Sequence, residues 1–181
     1  MSEDFTSLDT TLEAVWTRLE NGPRDKTAPA NVVCLATNGG IGANARMVVL
    51  RKTDRENSAL QFFTHAASGK IKDVEKNPNA ELLVWDRGSQ LQVRLKAHLE
   101  VTEIDDATWA ALGDGAKLNY ATDPLPGSTI SAPSVAWAAR SDHTQMKQIT
   151  AHIQSIETLH ISPEGLYRAV FDNTGSRWIA P

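Results

Sequence analysis

Residues Leu91–Thr102 alternate without a break: Leu91, Val93, Leu95, Ala97, Leu99 and Val101 are apolar, and every residue between them is polar. A period of two sustained this long excludes a helix and predicts a strand with one buried and one wet face. Such a strand belongs in an antiparallel sheet, because parallel sheets are covered on both faces. Four shorter runs precede it, at Val32–Thr37, Arg46–Arg51, Leu60–Thr64 and Glu81–Trp85, with turn residues between them. Asn38-Gly39-Gly40 followed by Gly42 predicts a tight first hairpin, since glycine tolerates the positive φ that such turns require. Consecutive strands joined this way point to a small barrel.

Helical spacing occupies other stretches. Phe5, Leu8, Leu12, Val15, Trp16 and Leu19 recur three and four apart, which predicts a helix stopped by Asn21-Gly22-Pro23, with Thr10-Thr11-Leu12-Glu13 as a capping box. A second helix is predicted over Ser68–Lys76, with Ser68 as N-cap and Asn77-Pro78 as the stop. A third spans about Asp105 to Leu112. Met146, Ile149, Ile153 and Ile156 keep helical spacing and predict a fourth from about Asp142 to Ser155. Tyr120–Ser134 holds three prolines and a glycine and reads as an irregular loop. Strands follow at Leu166–Phe171 and Arg177–Ala180, around an Asn173-Thr174-Gly175 turn.

A length of 181 residues suits one domain. With 18 Lys and Arg against 22 Asp and Glu, the net charge is −4, and no basic run breaks the pattern. Nucleic acid and anionic membrane surfaces are therefore not expected partners. No segment approaches the ~20 apolar residues that span a bilayer. Met1-Ser2-Glu3-Asp4 lacks the basic and apolar regions of a signal peptide, and Cys34, the one cysteine, cannot form an intramolecular disulfide. A cytoplasmic location is expected, with Cys34 as a buried small hydrophobe.

The usual dinucleotide, phosphate-loop, zinc-hydrolase and serine-hydrolase motifs do not occur. His65, His98, His143, His152 and His160 fall on different predicted elements without ligand spacing, so no metal is expected. The informative stretch is Arg46-Met47-Val48-Val49-Leu50-Arg51. Parity puts Arg46 on one face with Val48 and Leu50, and Arg51 on the other with Met47 and Val49. An arginine among apolar neighbours needs an anionic partner, or must reach water from the strand end. Lys70 lies in the first turn of its predicted helix, where cations are disfavoured; a phosphate on the free amides would account for it, and a solvated lysine is the alternative. With Ser68, Arg46 and Lys70 would suit a dianionic phosphate. The Met47–Leu50 backbone, Phe63-Thr64 and Gln92 offer an apolar wall with amide partners.

The order Arg46-Met47-Val48-Val49-Leu50-Arg51, Phe62-Phe63-Thr64, Ser68-Gly69-Lys70, Asn77-Pro78, Gln92-Val93-Arg94 and Trp178-Ile179-Ala180-Pro181 resembles the FMN-binding split-barrel proteins related to pyridoxamine 5′-phosphate oxidase. The similarity runs from about Ala30 to Glu103 and resumes near residue 166. It implies a mainly β (β+α) fold, a six-stranded antiparallel split β-barrel with flanking helices, in one domain over residues 1–181. It also implies FMN as cofactor, a homodimer with FMN at its interface, and an oxidoreductase acting on an unidentified small-molecule substrate. On that resemblance Arg46, Lys70 and Ser68 hold the phosphate, with Gly69 inside the same motif. Met47, Val48, Val49, Leu50 and Arg51 lie along the flavin through main-chain contacts, Phe63 and Thr64 face it, Gln92 bonds the polar edge of the ring, and Arg168 reaches the flavin.

Two departures stand out. Gly69 occupies the place where the oxidases usually carry a second basic residue, and Glu164-Gly165-Leu166 replaces their Arg-x-His pair. The expectation is therefore FMN retained and substrate changed. The alternatives are a non-catalytic flavin-binding or sensing module, and a split barrel that binds haem or a deazaflavin or serves only as a dimerisation scaffold.

Overall fold

In the computed structural model, which describes residues 4–136 and 142–181, eight antiparallel strands make one continuous sheet. Met1-Ser2-Glu3 of the N-terminal reading lie outside the described residues. The strands are β1 (Val32–Asn38), β2 (Ala43–Asp54), β3 (Ala59–His65), β4 (Asn79–Asp86), β5 (Leu91–Glu103), β6 (Met146–Ser162), β7 (Gly165–Asp172) and β8 (Gly175–Ile179). Their order is β3-β2-β1-β4-β5-β6-β7-β8, and an additional β3–β6 pairing closes the first six into a barrel. Strand β6 makes this possible by dividing one of its edges. Residues 146–152 pair with β3 and residues 155–162 with β7, while the other edge runs along β5. The barrel therefore has the expected six antiparallel strands, and β7–β8 extend it as a two-stranded flap.

The alternation in β5 is realised: Leu91, Val93, Leu95, Ala97 and Leu99 are buried. They meet Leu82 and Val84 of β4, Leu35 of β1, and Leu50 and Phe62 of β2 and β3, all in the interior. Helix α1 (Leu8–Asn21) adds Val15, Trp16 and Leu19, and α2 (Gly69–Lys76) packs against β1 and β5 through Ile71 and Val74. Each such valine, leucine, isoleucine or phenylalanine contributes about 1.5–3 kcal/mol by leaving water. Helix α1 begins at Leu8 with Ser7 at its N-cap and no side-chain cap, so the proposed capping box around Thr10 falls inside the helix. In the β1–β2 turn Gly40 takes a φ of +88°, as the glycine cluster required.

The predicted helix over 142–155 is instead the long strand β6. Two changes of face produced the helical spacing. Ile149, Ala151 and Ile153 point inward opposite Val101, Leu99 and Ala97. A bulge at Lys96/Ala97 then inserts Gln154, so the inward positions shift by one to Ile156 and Thr158. At the other end Met146 faces outward and is buried by a separate small cluster with Ile104, Tyr120, Phe63, Trp109 and Leu112. Trp109 of that cluster comes from α3 (Asp106–Ala111), and Leu112 and Tyr120 flank α4 (Asp114–Leu118). Cys34 is also corrected: it is half-buried on the outer face of β1, between Met47 and Leu83 in register. Among the described residues no helix is long and apolar enough to cross a membrane.

Candidate functional site

Arg46 follows the parity rule and faces inward, opposite the fully buried Leu35, at the β1–β2 hairpin end of the barrel. Its Nη1 donates to Thr37 Oγ1 at 2.6 Å and to the Leu35 carbonyl at 3.4 Å, and its Nη2 donates to Asp73 Oδ2 at 3.3 Å. The same Asp73 oxygen accepts from Thr37 Oγ1 at 2.7 Å and from Asn44 Nδ2 at 3.0 Å. Those bonds, from Thr37, Asn44 and then Arg46, hold the Asp73 carboxyl below the usual carboxylate range. The anionic partner that parity demanded for Arg46 is thus a side chain of α2.

Lys70 is different. Its half-buried ammonium donates to Thr64 Oγ1 at 2.7 Å and Ser68 Oγ at 2.8 Å, and it has no acidic partner among the described residues. Burial, and then the nearby charge of Arg46, push its pKa down. Ser68 occupies the N-cap position of α2 but spends its hydroxyl on Lys70, so no side chain caps the helix. A Cβ added at Gly69 would meet nothing within 4 Å, so the start of α2 is open. Two cations, uncapped amides and two hydroxyls at one place suit an anion of phosphate size. No group of His, Cys, Asp and Glu among the described residues has an arrangement that fits a metal ion.

The other sequence candidates divide by face. Val48 and Leu50 are buried in the barrel, while Met47, Val49 and Arg51 point outward and are exposed. Thr64 is buried inward beside Lys70, and Phe63 packs outward onto the Trp109 and Leu112 cluster. Gln92 lies on the outer face, in the register row Trp85–Gln92–Leu159–Arg168. Arg168 is engaged there: its Nη2 and Nε donate to Glu157 Oε1 at 2.8 and 3.1 Å. Glu157 also accepts from Arg94 at 3.0 Å, and Arg94 reaches Glu81 at 2.6 Å, so alternating charges cross four strands.

The structure therefore gathers Arg46, Thr64, Ser68, Gly69 and Lys70, and separately places Gln92 and Arg168 with Met47 and Val49 on the outer face. No hydrogen bond or ion pair among the described residues joins the two groups. Beside the second group Val32, Leu83 and Trp85 are also exposed, giving β2, β1 and β4 a contiguous apolar surface. Sequence reasoning missed Asp73, Thr37 and Asn44. One signal was available: Asp73 stands between Ile71 and Val74 on the buried side of α2, and a carboxylate there requires a donor.

The family described as pyridoxamine 5′-phosphate oxidase matches residues 24–148. The pyridoxine/pyridoxamine 5′-phosphate oxidase of Chromohalobacter salexigens is 30% identical over 149 residues, covering 80% of this chain and 65% of that protein. Its counterpart in Bradyrhizobium diazoefficiens is 32% identical over 107 residues, covering 59% of this chain and 48% of that one. The chain thus spans about half to two thirds of the length of these relatives. Among solved structures, a pyridoxamine 5′-phosphate oxidase-related, FMN-binding protein from Nostoc punctiforme superposes with a TM-score of 0.75 at 22% identity, over 93% of this chain and 96% of that one. PhzG from Burkholderia lata, in complex with tetrahydrophenazine-1-carboxylic acid, gives 0.67 at 15% identity, over 100% and 94%. At such identities the likeness shows the split-barrel fold. With the fold shared and more than half of its length matched, the chain belongs to the pyridoxamine 5′-phosphate oxidase family.

Proposed function

We propose that the chain binds FMN and works as a flavin-dependent oxidoreductase on a small substrate. The observation that carries this reading is Lys70: beside Arg46, at the open start of α2, its half-buried ammonium bonds hydroxyls and has no acidic partner among the described residues. A phosphate would give that ammonium a counter-ion and the first amides of α2 an acceptor. Lys70 and Arg46 would hold it, with Thr64 and Ser68 fixing the lysine and able to turn their hydroxyl protons toward a phosphate oxygen. When bound, FMN supplies hydride acceptance; the protein supplies binding, orientation and exclusion of water. The main chain of Met47–Arg51 would run along the ring.

Gln92 and Arg168 stand apart from Lys70 in one chain, on a sheet face whose neighbours are apolar and exposed. A second copy apposed on that face would bring its Gln92 and Arg168 toward the first copy's flavin and cover Val32, Met47, Val49, Leu83 and Trp85, which supports a homodimer. One cysteine and no disulfide fit a reducing cytoplasm. A second reading, a flavin-binding protein without turnover, is favoured by one observation: Arg168, expected at the flavin, is neutralised by Glu157.

The test is direct. Purified protein is expected to be yellow, to release FMN on denaturation, and to bind FMN more tightly than riboflavin, which lacks the phosphate. Colourless protein with no thermal shift in excess FMN refutes the reading. Reduction by a nicotinamide nucleotide followed by oxygen uptake separates an enzyme from a flavin store.

A further inference from the structure

Helix α2 carries two charged groups into the candidate site, one turn apart. Lys70 has no acidic partner among the described residues, and Asp73 is a carboxylate on the buried side. We propose that Asp73 is a positioning residue of the anion site: it fixes the Arg46 guanidinium beside Lys70, so that both cations stand in place before the phosphate arrives. This rests on the flavin-phosphate reading above and adds a residue that does not touch the ligand.

Geometry carries the argument. Asp73 Oδ2 collects three donors, from Thr37, Asn44 and Arg46, and Thr37 is shared, since its hydroxyl accepts from Arg46 Nη1 while donating to Asp73. The guanidinium is therefore held at two nitrogens, with the Leu35 carbonyl as a weaker third contact. The remaining N–H groups of Arg46 make no hydrogen bond among the described residues and would be available to a ligand. Room for this network is built into the hairpin: a Cβ at Gly39 would lie 2.2 Å from Asn44 Nδ2.

A helix that needed only to cover the barrel would be served by an apolar residue at 73, because a buried ion pair adds little net stability over a hydrophobic substitute. What the carboxylate adds is order and charge balance. Arginine has many rotamers, and from its position near the strand end it would otherwise extend to water, so freezing it would fall to the ligand. Arg46 and Lys70 also repel each other closely enough for Arg46 to depress the Lys70 pKa. The negative charge of Asp73 beside Arg46 offsets one of the two cations before a ligand arrives, leaving a net charge of one for the ligand to meet.

The experiment compares FMN with riboflavin, read by quenching of flavin fluorescence, in the wild-type chain and in Asp73→Ala, Asp73→Asn, Arg46→Ala and the Asp73→Ala/Arg46→Ala double variant. Asp73→Ala is expected to weaken FMN by about tenfold or more, the scale of a charge-assisted contact, and to leave riboflavin unchanged. Asp73→Asn keeps an acceptor for Thr37 and Arg46 and should stay within about threefold of wild type. In the Arg46→Ala background the Asp73→Ala change should cost no more than about twofold, because it acts through Arg46. Should Asp73→Ala fail to fold, Thr37→Val removes the shared hydroxyl and is expected to show the same FMN-selective loss.

Wild-type FMN affinity in Asp73→Ala or in Thr37→Val, an equal loss on riboflavin, or an undiminished loss without Arg46 each overturns the proposal. A wild-type chain that binds FMN and riboflavin equally refutes the phosphate reading itself, and this inference with it.

Discussion

Replacing Lys70 by methionine should improve the stability of the empty protein and damage its flavin binding at once. The ammonium is half-buried, bonded to Thr64 and Ser68, and adjacent to Arg46. After the two hydroxyl bonds are credited and solvent screening is allowed for, its unbalanced charge costs on the order of 1 kcal/mol. Methionine matches the stem of lysine in length and removes the charge, and for a domain of this size 1 kcal/mol moves Tm by about 2–4 °C. In the loaded protein the same change removes an ammonium–phosphate contact of about 1.5–3 kcal/mol, or roughly 10- to 150-fold in Kd. Differential scanning fluorimetry of apoprotein and fluorescence titration with FMN read the two effects separately.

The pH dependence sharpens the test. The folded pKa of Lys70 lies below its unfolded value, so on the alkaline side the unfolded chain holds more protons and stability rises with pH as the buried ammonium discharges. The methionine variant should lose that rise. A Lys70→Met apoprotein that melts several degrees lower while binding FMN normally would refute the reasoning, because the lysine would then be a structural residue.

Three further outcomes are expected. Leu95→Ala, at a fully buried position facing Leu82 and Ile156, should cost about 2–5 kcal/mol in urea or guanidinium unfolding; a loss below 1 kcal/mol would mean that the barrel collapses around the gap. Trp85→Glu, on the exposed apolar face, should halve the mass seen by sedimentation, and a mass unaltered from a wild-type dimer would move the interface elsewhere. On acidification, Asp73 is held low by Thr37, Asn44 and Arg46; burial pushes the Asp86 carboxyl up, but bonds from Ser89, Arg18 and the Gly88 amide outweigh it. Both folded pKa values lie below the unfolded one near 3.9, so their stabilisation is present above about pH 4 and lost as pH falls through the folded values. Melting curves should therefore hold level from neutral pH and drop in that acid range. An equally steep drop in Asp73→Asn would remove Asp73 from the explanation.

A structural feature is legible in the sequence where its cause is local. The alternation in Leu91–Val101 reports a single strand with one dry face, and it survives intact. Arg46 facing inward follows from parity alone. By contrast, β6 deceived because its outward Met146 and the extra Gln154 turned a period of two into apparent steps of three and four. Neither event has a local signature, since both depend on what lies opposite. The demand for an anion at Arg46 was legible; the supplier was not, because Asp73 reaches it only when α2 lies over β1. The Glu81–Arg94–Glu157–Arg168 series was hidden for the same reason, its members being joined only by cross-strand register. Likewise Arg168, matched by motif to a flavin contact, has Glu157 as its neighbour in the folded chain.

The division of β6 between two partners also bears on how the chain is made. Ala59 pairs with His152 and His65 with Met146, so the seam of the barrel joins residues 81 to 93 positions apart, and it cannot form until the later segment has left the ribosome. Up to that moment any sheet that β1 to β5 form in the order of the finished barrel would be open, with β3 at one margin and β5 at the other, each offering unsatisfied amides to any passing strand. Arrival of a single segment, residues 146–162, seals both margins at once. A pause in translation between β5 and β6 would lengthen that vulnerable interval, whereas one after residue 162 would leave only the β7–β8 flap unfinished.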